Sequence, residues 1–471
     1  MVAVAPRNDR VGGRGVAARA AGGRRRGVLQ RALGLRSVVS TSAGLAFAAI
    51  NFLAVTAIRR QAPGWEGPVA ILLAGALCLL VAACFGELNG TLPSAAGIRV
   101  WTLRGIGDPF SLAFTLLYLP ALLLVMAADG FVLGAALHRA VPVVPPLLWV
   151  LVLLGAALAA NLRGVRAAAL VQDLTTYGLL ATLAVVSALA LGRHPVETAA
   201  PLSASGGGGF FTGVALAVFI FTGFEWVTPL AEEVQDNRRM PLGLTLALAL
   251  LAVGFGLFGA VAARLPRVPG GDVAPQLAVG RLALGALGFW SMLVVTVVTA
   301  GTTFNGGLAA ASRLVYALGR SRYLPAALGR LNTRFVPARA LWLLVAVVAV
   351  LIAGVFLTRQ YLVLINMGAV LECSMYVVAA VALLGLRRRE PALPRSWKAP
   401  GGRALPLVTA AIFGLLAVGA AVAPSGIRWP APWFPWPLLV LIVLALAAFG
   451  YARRTLRRRP TAVRAGRAAR R

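Results

Sequence analysis

Long apolar stretches alternate with short polar ones along most of the chain. Most of these stretches reach the length of about 20 residues that a helix needs to cross a bilayer, although some, such as the fourth and ninth, are shorter. The pattern therefore predicts an all-α polytopic membrane protein with twelve transmembrane helices, which we call spans 1 to 12. In chain order the spans are 38–58, 67–86, 111–137, 147–161, 168–191, 211–230, 242–263, 283–310, 341–357, 361–386, 405–423 and 435–451.

The overall composition agrees with this class and excludes a soluble globular protein. Of the 471 residues, 59% are hydrophobic and only 13% are charged, and the mean hydropathy is +0.85. The three cysteines, Cys78, Cys84 and Cys373, lie inside predicted spans and lack the spacing of a metal or redox motif. We therefore expect no metal site, no cofactor and no disulfide.

Basic residues determine the expected orientation in the membrane. The net charge is +31, and in the twelve-span arrangement 36 of the 45 Lys and Arg residues fall on one side and 9 on the other. The positive-inside rule then places both termini and the longer loops in the cytoplasm, for a multi-pass protein of the cell membrane. Residues 1–37 and 452–471 are expected to be basic, disordered tails. Attraction to anionic lipid headgroups explains their charge better than binding to nucleic acid.

Span 6 contains the most informative polar residues of the chain. The segment 219-FIFTGFEWVTPLAEE-233 puts Glu225 and the pair Thr222–Gly223 inside an otherwise apolar span. A carboxylate at that depth is costly unless it faces a cavity, a partner or a substrate. Unwound backbone is tolerated there only where it lines a cavity or is buried in protein. A broken helix that carries a carboxylate therefore predicts the substrate site of a transporter.

Span 1 has helix-weakening residues at the corresponding place. It opens with 40-STSAG-44, five spans before 222-TG-223. Paired interruptions of this kind indicate an inverted-repeat transporter with its substrate site at the membrane midplane. The alternative is that Ser, Thr and Gly merely allow close helix packing. We expect a ten-helix core over 38–386 built as a 5+5 inverted repeat, a cytoplasmic loop over 387–404 and two peripheral helices over 405–451.

Four segments together resemble the amino acid–polyamine–organocation superfamily of secondary transporters, and in particular its amino acid permeases. The segments are 218-VFIFTGFEWVTPLAEEVQDNRRMPLG-243, 87-ELNGTLPSAAGIRVW-101, 311-ASRLVYALGRSRYLPAALGRLNTRFVPARAL-341 and 386-LRRREPALPRSWKAPGGRALP-406. The first is similar to the sixth helix and following loop of the family, although its 236-DNRR-239 turn lacks the usual proline. This resemblance implies a leucine-transporter-like fold with discontinuous helices 1 and 6.

The resemblance also implies a substrate site between helices 1 and 6. A broken helix exposes backbone N–H groups at the positive end of its second half, so a break at 40–44 is expected to hold a substrate carboxylate. Unwound carbonyl groups at the second break are expected to accept hydrogen bonds from an ammonium group. Phe219 is expected to cover the substrate, unless it merely faces lipid, and Glu225 is expected to brace the break. The substrate-binding candidates are Ser40, Thr41, Ser42, Ala43, Gly44, Phe219, Phe221, Thr222 and Gly223.

Candidates for binding the coupling ion lie in three spans. Some proton-driven members of the family carry a lysine on helix 5, but 171-VQDLTTYGLL-180 contains none, and Leu179 or a neighbour takes its place. Buried carboxyl groups take up protons readily, so Asp129 in span 3 and Glu372 in span 10 are the candidates for proton coupling. Each could instead simply bond another helix. In span 8, Thr302 and Thr303 offer hydroxyl oxygens for sodium, which is the less favoured alternative.

The sequence therefore predicts a secondary active transporter that moves amino acids by alternating access, as a proton symporter or an exchanger. A polyamine or another organocation is the rival substrate, because Asp129 and Glu372 could add acids to the pocket. Since many family members have a Gly-x-Gly-like run where this chain has 40-STSAG-44, the identity of the substrate stays open. A membrane-embedded enzyme is disfavoured, because His138 and His194 lie in separate loops without a partner acid. The sequence also lacks the Asp-Arg-x-Gly-Arg-like loop of major facilitators and the repeated filter of channels.

Overall fold

Nearly all described residues of the computed structural model belong to helices or the loops between them. The described residues are 29, 31–193, 206–265, 273–422 and 436–457. An isolated β-bridge between Leu33 and Val234 is the one pairing of strand type within these ranges. Most of the two predicted tails, residues 1–28 and 458–471, and also His194, lie outside the described residues.

Fourteen α-helices and three short 3₁₀ helices follow one another in the described parts of the chain. The α-helices are α1 (Leu35–Ala46), α2 (Asn51–Gln61), α3 (Glu66–Thr91), α4 (Gly97–Gly105), α5 (Phe110–Ala140), α6 (Pro146–Leu162), α7 (Val165–Arg193), α8 (Gly206–Phe219), α9 (Met240–Arg264), α10 (Pro275–Arg320), α11 (Ala338–Thr358), α12 (Tyr361–Arg389), α13 (Ala404–Val422) and α14 (Trp436–Arg457). The 3₁₀ helices are Phe224–Leu230, Asn237–Arg239 and Ala326–Gly329.

The helices are long and apolar enough for a multi-span membrane protein. Among the described residues, ten helices could cross a membrane by length and composition. The pair α1 and α2 passes the same test only as one span, which is bent by 62° at its break. Helix α6 is apolar but has only 17 residues. The structure therefore supports ten or eleven spans, while the count of twelve and the 5+5 repeat stay predictions.

Helix α1 lies in the core of the bundle. Its residues from Val38 to Ala46 are all buried, which is typical of a helix that other helices enclose on all sides. It packs against α7, α9, α10 and the 3₁₀ helix Phe224–Leu230. The contact with α9 is close because Gly243 has no side chain, since a Cβ atom there would lie 2.6 Å from Val38.

Buried ion pairs attach the loops to the ends of the helices. Arg313 of α10 donates hydrogen bonds of 3.0 and 3.2 Å to Glu233, and both side chains are 1% exposed. Glu87 of α3 is buried and pairs with Arg387 of α12 and with Arg395 in the following loop. A charge left alone in such a place would be strongly destabilising, so each pair specifies how its loop returns to the bundle.

Helix α10 turns sharply near its beginning. Gly285 adopts φ 63° and ψ −136°, which is not helical, and only glycine adopts this conformation easily. The short first part folds against the rest, with the backbones of Gly280 and Gly288 in contact. The long part of the helix therefore begins close to residue 283, where the apolar pattern places the start of span 8.

The last two helices bury little of their surface. Helix α13 packs against α12, and α14 packs mainly against α5. Within the most apolar segment of each helix, 17% of the residues of α13 and 11% of those of α14 are buried inside the protein, compared with 67% for α5. The helices that surround α1 thus form the tightly packed part of the molecule.

Candidate functional site

The first helix break lies between α1 and α2. Helix α1 continues through residues 40–44 to Ala46, residues 47–50 leave the helical path, and α2 begins at Asn51. The expected break at 40–44 is therefore wrong, and the actual break comes a few residues later. The second half of the broken helix therefore begins later than expected. The backbone N–H groups at its N-terminal end belong to residues near 50 and not to residues near 42, and that of Ile50 is bonded by a side chain of another helix.

Residues 40–44 are buried contacts of α1 with its neighbours. Ser40 bonds the carboxylate of Asp173 in α7, and Ser42 Oγ donates to the carbonyl oxygen of Phe224 at 2.6 Å. These hydroxyl groups bond other elements and leave the backbone bonds of α1 in place. Small polar residues in this span therefore serve helix packing, which was the alternative interpretation of the pattern.

The rest of this segment serves the same purpose. Thr41 and Ala43 are buried within α1. A Cβ atom at Gly44 would overlap the side chain of Thr176 in α7 and would lie 3.2 Å from the Cβ of Thr302 in α10. Glycine at this position thus allows three helices to meet closely.

The second break follows α8, at the position that the sequence indicates. Helix α8 ends at Phe219, whose carbonyl oxygen accepts the Thr222 hydroxyl at 2.8 Å and the Thr222 N–H at 3.1 Å. Gly223 has φ 103°, a conformation that favours glycine, and a 3₁₀ helix begins at the next residue. Glu225 Oε2 accepts the Gly223 N–H at 3.2 Å. The carboxylate thus bonds the unwound backbone directly.

Asn51 joins the two breaks. Its side-chain Nδ2 donates to the carbonyl oxygen of Ala46 at 2.7 Å and to that of Ile220 at 3.0 Å. The breaks also approach each other at Gly223, where a Cβ atom would lie 3.4 Å from the carbonyl oxygen of Leu45. Asn51 was not among the predicted site residues, although an isolated Asn in an apolar span is itself a signal for a hydrogen bond between helices.

Asp129 of α5 reaches the first break. Its Oδ1 accepts the Ile50 N–H at 3.0 Å, and its carboxyl group also faces Ala49 and the Thr303 hydroxyl. The side chain is fully buried, and its Oδ2 has no hydrogen-bond partner among the described residues. A negative charge is favourable at the N-terminus of a helix, so Asp129 occupies the anion position at the beginning of α2. Two coupling candidates, Asp129 and Thr303, therefore meet at one break.

Glu225 and Glu372 meet at the second break, inside a ring of aromatic residues. Glu225 accepts the Tyr376 hydroxyl at 2.8 Å and the Tyr118 hydroxyl at 3.5 Å. Glu372 of α12 accepts the indole N–H of Trp226 at 2.8 Å and lies in hydrogen-bonding contact with Glu225. The rings of Tyr118 and Trp226 are stacked with centroids 3.9 Å apart. The two acids were separate candidates in the sequence, and their contact was not predicted.

The two candidate phenylalanines differ in their surroundings. Phe219 is half-buried at the end of α8. The ring of Phe221 is buried against Gly75 of α3 and lies 6.3 Å from the ring of Phe255. Phe255 in turn stacks on Phe47 at 4.2 Å. Phe221 therefore contributes its side chain to the core, and only its backbone belongs to the break.

A network of uncharged polar groups connects α1, α6, α7 and α10. Asn305 donates to Gln172 Oε1 at 2.8 Å, and Asn161 donates to Asn305 Oδ1 at 3.0 Å. The Thr176 hydroxyl donates to the carbonyl oxygen of Ser40 at 3.1 Å. Gln172 and Thr176 lie four residues apart and so on one face of α7, and neither was among the predicted site residues.

Ion pairs also link loop segments and helix ends of the bundle. Arg36 bonds Asp173 at 2.9 Å, which ties the start of α1 to α7. Glu232 pairs with Arg320 at 2.8 Å and accepts the Ala95 N–H at 3.1 Å. Burial alone would raise the pKa of Glu232, but the hydrogen bonds from Arg320 and Ala95 hold this pKa below its usual range. Glu232 is therefore a carboxylate at neutral pH.

Comparison with known protein families matches most of the chain to a single family. The family model for amino acid permeases matches residues 33–447 of the chain, which run from just before α1 into α14. The match covers most of the chain and confirms the resemblance that the four sequence segments indicate.

Several curated relatives share this similarity. A methylthioribose transporter of Bacillus subtilis (strain 168) is 23% identical over 376 residues, which cover 73% of this chain and 78% of the relative. The branched-chain amino acid permease BcaP of Lactococcus lactis subsp. cremoris (strain MG1363) is 30% identical over 188 residues, 39% of either chain. The vacuolar cationic amino acid transporter 2 of Arabidopsis thaliana is 25% identical over 399 residues, 78% of this chain and 62% of the relative. The extent of the family match shows that the chain belongs to the amino acid permease family of membrane transporters.

Proposed function

We propose that the protein is a secondary active transporter that moves amino acids across the cell membrane by alternating access, with both termini in the cytoplasm. Membership of the amino acid permease family supports a small-molecule substrate of this class. Two relatives are named for branched-chain and cationic amino acids, which share only the α-amino and α-carboxyl groups. The site should therefore recognise that shared part of the substrate.

The contact between the two helix breaks through Asn51 is the observation that carries this proposal. It brings the N–H groups at the beginning of α2 close to the unwound backbone after α8. The N–H groups suit a carboxylate, and the carbonyl groups suit an ammonium ion. We therefore assign the substrate clamp to residues 47–50 and 221–223, in place of residues 40–44.

The position of Asp129 supports proton coupling. Its carboxyl group accepts the same Ile50 N–H that a substrate carboxylate would use. Two carboxylates repel each other strongly at such a short distance, so a substrate carboxylate is bound best when Asp129 is protonated. Sodium coupling is the less favoured alternative. The hydroxyl groups of Thr302 and Thr303 both donate to one carbonyl group of α10, which leaves their oxygen lone pairs for a cation.

The same contact favours one alternative, a polyamine or another organic cation as the substrate. If Asp129 keeps its charge, the protein itself supplies the anion at the beginning of α2, and the substrate needs no carboxylate. Glu225 and Glu372 would add two further acids near the second break. A ligand with several ammonium groups would then be attracted by all three side chains.

Uptake into proteoliposomes tests the proposal. The purified full-length protein is given labelled amino acids and polyamines, with pH and sodium gradients imposed separately. We expect amino acid uptake that responds to the proton gradient and not to sodium. Asp129→Asn should keep substrate exchange but lose accumulation driven by the pH gradient. The control Glu66→Gln removes another buried carboxyl group, one without a hydrogen-bond partner at either break, and should keep both activities.

Three results would contradict parts of this proposal. Uptake of polyamines without uptake of amino acids would establish the alternative substrate. Sodium-dependent uptake that is abolished by Thr303→Ala and insensitive to Asp129→Asn would transfer the coupling role to α10. Absence of uptake and exchange with every substrate of the panel would refute amino acid and polyamine transport together.

A further inference from the structure

The contact between Glu225 and Glu372 raises the question of where their charge is neutralised. Both side chains are almost completely buried, and their carboxyl groups lie within hydrogen-bonding reach of each other. Glu372 bonds Trp226 and Glu225 bonds Tyr118, and the rings of Trp226 and Tyr118 are stacked. Two carboxylates in contact without a cation would repel each other strongly in apolar surroundings. Contacts of this kind persist when one of the two groups holds a proton and donates it to the other in a hydrogen bond.

The hydrogen-bond donors around the pair distinguish the two acids. Glu225 receives three donors, which are the Gly223 N–H at 3.2 Å and the hydroxyl groups of Tyr376 at 2.8 Å and Tyr118 at 3.5 Å. Glu372 receives one donor, the Trp226 indole N–H, on Oε1. Its Oε2 is buried and has no donor among the described residues. Donors stabilise the charged form of an acid, so the charge belongs on Glu225 and the proton on Glu372.

We propose that Glu372 is a carboxylic acid whose Oε2–H donates a hydrogen bond to the carboxylate of Glu225, so that the pair holds one proton and one negative charge. The Oε1 atom is then the carbonyl oxygen of the acid, and it accepts the Trp226 N–H. This arrangement gives the buried Oε2 the partner that it otherwise lacks. The pair is a proton site built from α12 and the 3₁₀ helix at the second break.

The other titratable groups around the pair leave the negative charge in place. Tyr118 of α5, Tyr376 and Cys373 of α12, and Cys78 of α3 are the neutral groups that interact with the pair. Within the described residues, neither acid interacts with a Lys or an Arg. A proton is therefore the simplest counter-charge for the second carboxyl group.

Loss of this proton would act directly on the helix break. When the Oε2–H bond of Glu372 breaks and the proton passes to water, two negative charges face each other beside the Gly223 N–H that Glu225 accepts. Water must then reach the break, or Glu225 must release the backbone. The proton on Glu372 thus stabilises the break in the form in which Glu225 bonds the Gly223 N–H. A role of this proton in coupling rests on the transport function proposed above, whereas the protonation of Glu372 does not.

Infrared spectroscopy of the purified full-length protein tests the protonation. At neutral pH we expect a carboxylic-acid C=O band that shifts in D₂O and is absent from Glu372→Gln, whose amide can replace the donor without disturbing the fold. Trp226→Phe keeps the ring stacked on Tyr118 but removes the hydrogen bond to the C=O group. The band should then move to higher wavenumber. Trp149→Phe is the matched control, because the indole N–H of Trp149 has no hydrogen-bond acceptor in the described part of the chain, and it should leave the band unchanged.

Two infrared results would overturn the assignment. A band that survives Glu372→Gln and disappears in Glu225→Gln would put the proton on Glu225. A spectrum in which neither variant removes a band would show that the pair holds no proton at neutral pH. Transport is scored separately: Glu372→Gln should exchange substrate but fail to respond to a pH gradient. A protein without any uptake would contradict the proposed function and leave the infrared result standing.

Discussion

Replacement of Asn51 by Ala tests whether one side chain holds the two helix breaks together. The amide of Asn51 is 3% exposed and is bonded to carbonyl groups on either side, at 2.7 and 3.0 Å. Asn51→Ala removes both hydrogen bonds and leaves the carbonyl oxygens of Ala46 and Ile220 without this donor. The helices themselves keep their backbone bonds, so the effect should be concentrated at the breaks.

The size of the effect follows from the burial of these groups. A hydrogen bond contributes about 1 kcal/mol net, and a buried acceptor that loses its donor costs about 1–3 kcal/mol. Two acceptors lose their donor, and relaxation or water compensates part of the cost. We therefore expect the free energy of unfolding to decrease by about 2–4 kcal/mol. Suppose that this free energy is lost entirely from the arrangement in which the two breaks are in contact. The population of that arrangement, relative to arrangements in which the breaks are apart, would then decrease by a factor of roughly 30 to 1000.

The measurements are the thermal unfolding midpoint in detergent and the rate of substrate exchange in proteoliposomes. Asn89→Ala is a matched control, because Asn89 is also fully buried but neither of its amide atoms has a hydrogen-bond partner among the residues that the structure describes. Both substitutions remove the same atoms, so the difference between them reports the two hydrogen bonds. We expect Asn51→Ala to unfold at a clearly lower temperature and to exchange more slowly. Equal midpoints and equal exchange rates for the two variants would refute the role of Asn51.

Two further predictions concern the second break and a loop. Gly223→Ala should destabilise the protein by about 1–2 kcal/mol, because an Ala residue is strained at φ 103°. Gly155 lies on a helix with open space beside it, so the control Gly155→Ala should be neutral or stabilising. Thermal unfolding of the two variants measures the difference. Glu232→Gln should lower stability by about 1 kcal/mol or less at neutral pH, since the pair with Arg320 is partly exposed. The pKa of Glu232 is lowered by folding, so its contribution is present above the ordinary pKa and is lost as the pH falls through the folded value. A midpoint difference between wild type and Glu232→Gln that does not shrink in acid would contradict this.

Local properties of the sequence were enough to predict the membrane class and the second break. Apolar stretches of the right length identify spanning helices because each residue contributes to burial in lipid independently of its neighbours in space. The interruption near Gly223 was predictable, since Thr, Gly and a buried Glu all weaken a helix at the positions where they stand. The family resemblance was visible for the same reason, because each of the four similar segments is a continuous stretch of the sequence.

The place of the first break was decided by tertiary structure alone. Residues 47–50 read FAAI and contain no helix-breaking residue, so the sequence pointed instead to the small residues at 40–44. The chain breaks where it does because Asp129 accepts the Ile50 N–H and Asn51 bonds both breaks. These partners compensate the backbone groups that a broken helix leaves without bonds, and they come from other helices.

The pairing of the acids was equally beyond the sequence. Trp226 and Glu372 bond each other across 146 positions of the chain, and the order of residues does not reveal which distant side chains will touch. The sequence by itself determined the membrane class, because this class depends on the length of the apolar stretches. It also indicated that the acids within the spans have a function, because the cost of burying a charge depends on the residue and its span. Only the packing of α5, α12 and the 3₁₀ helix decided that Glu225 and Glu372 share one site, since a hydrogen bond requires contact in space.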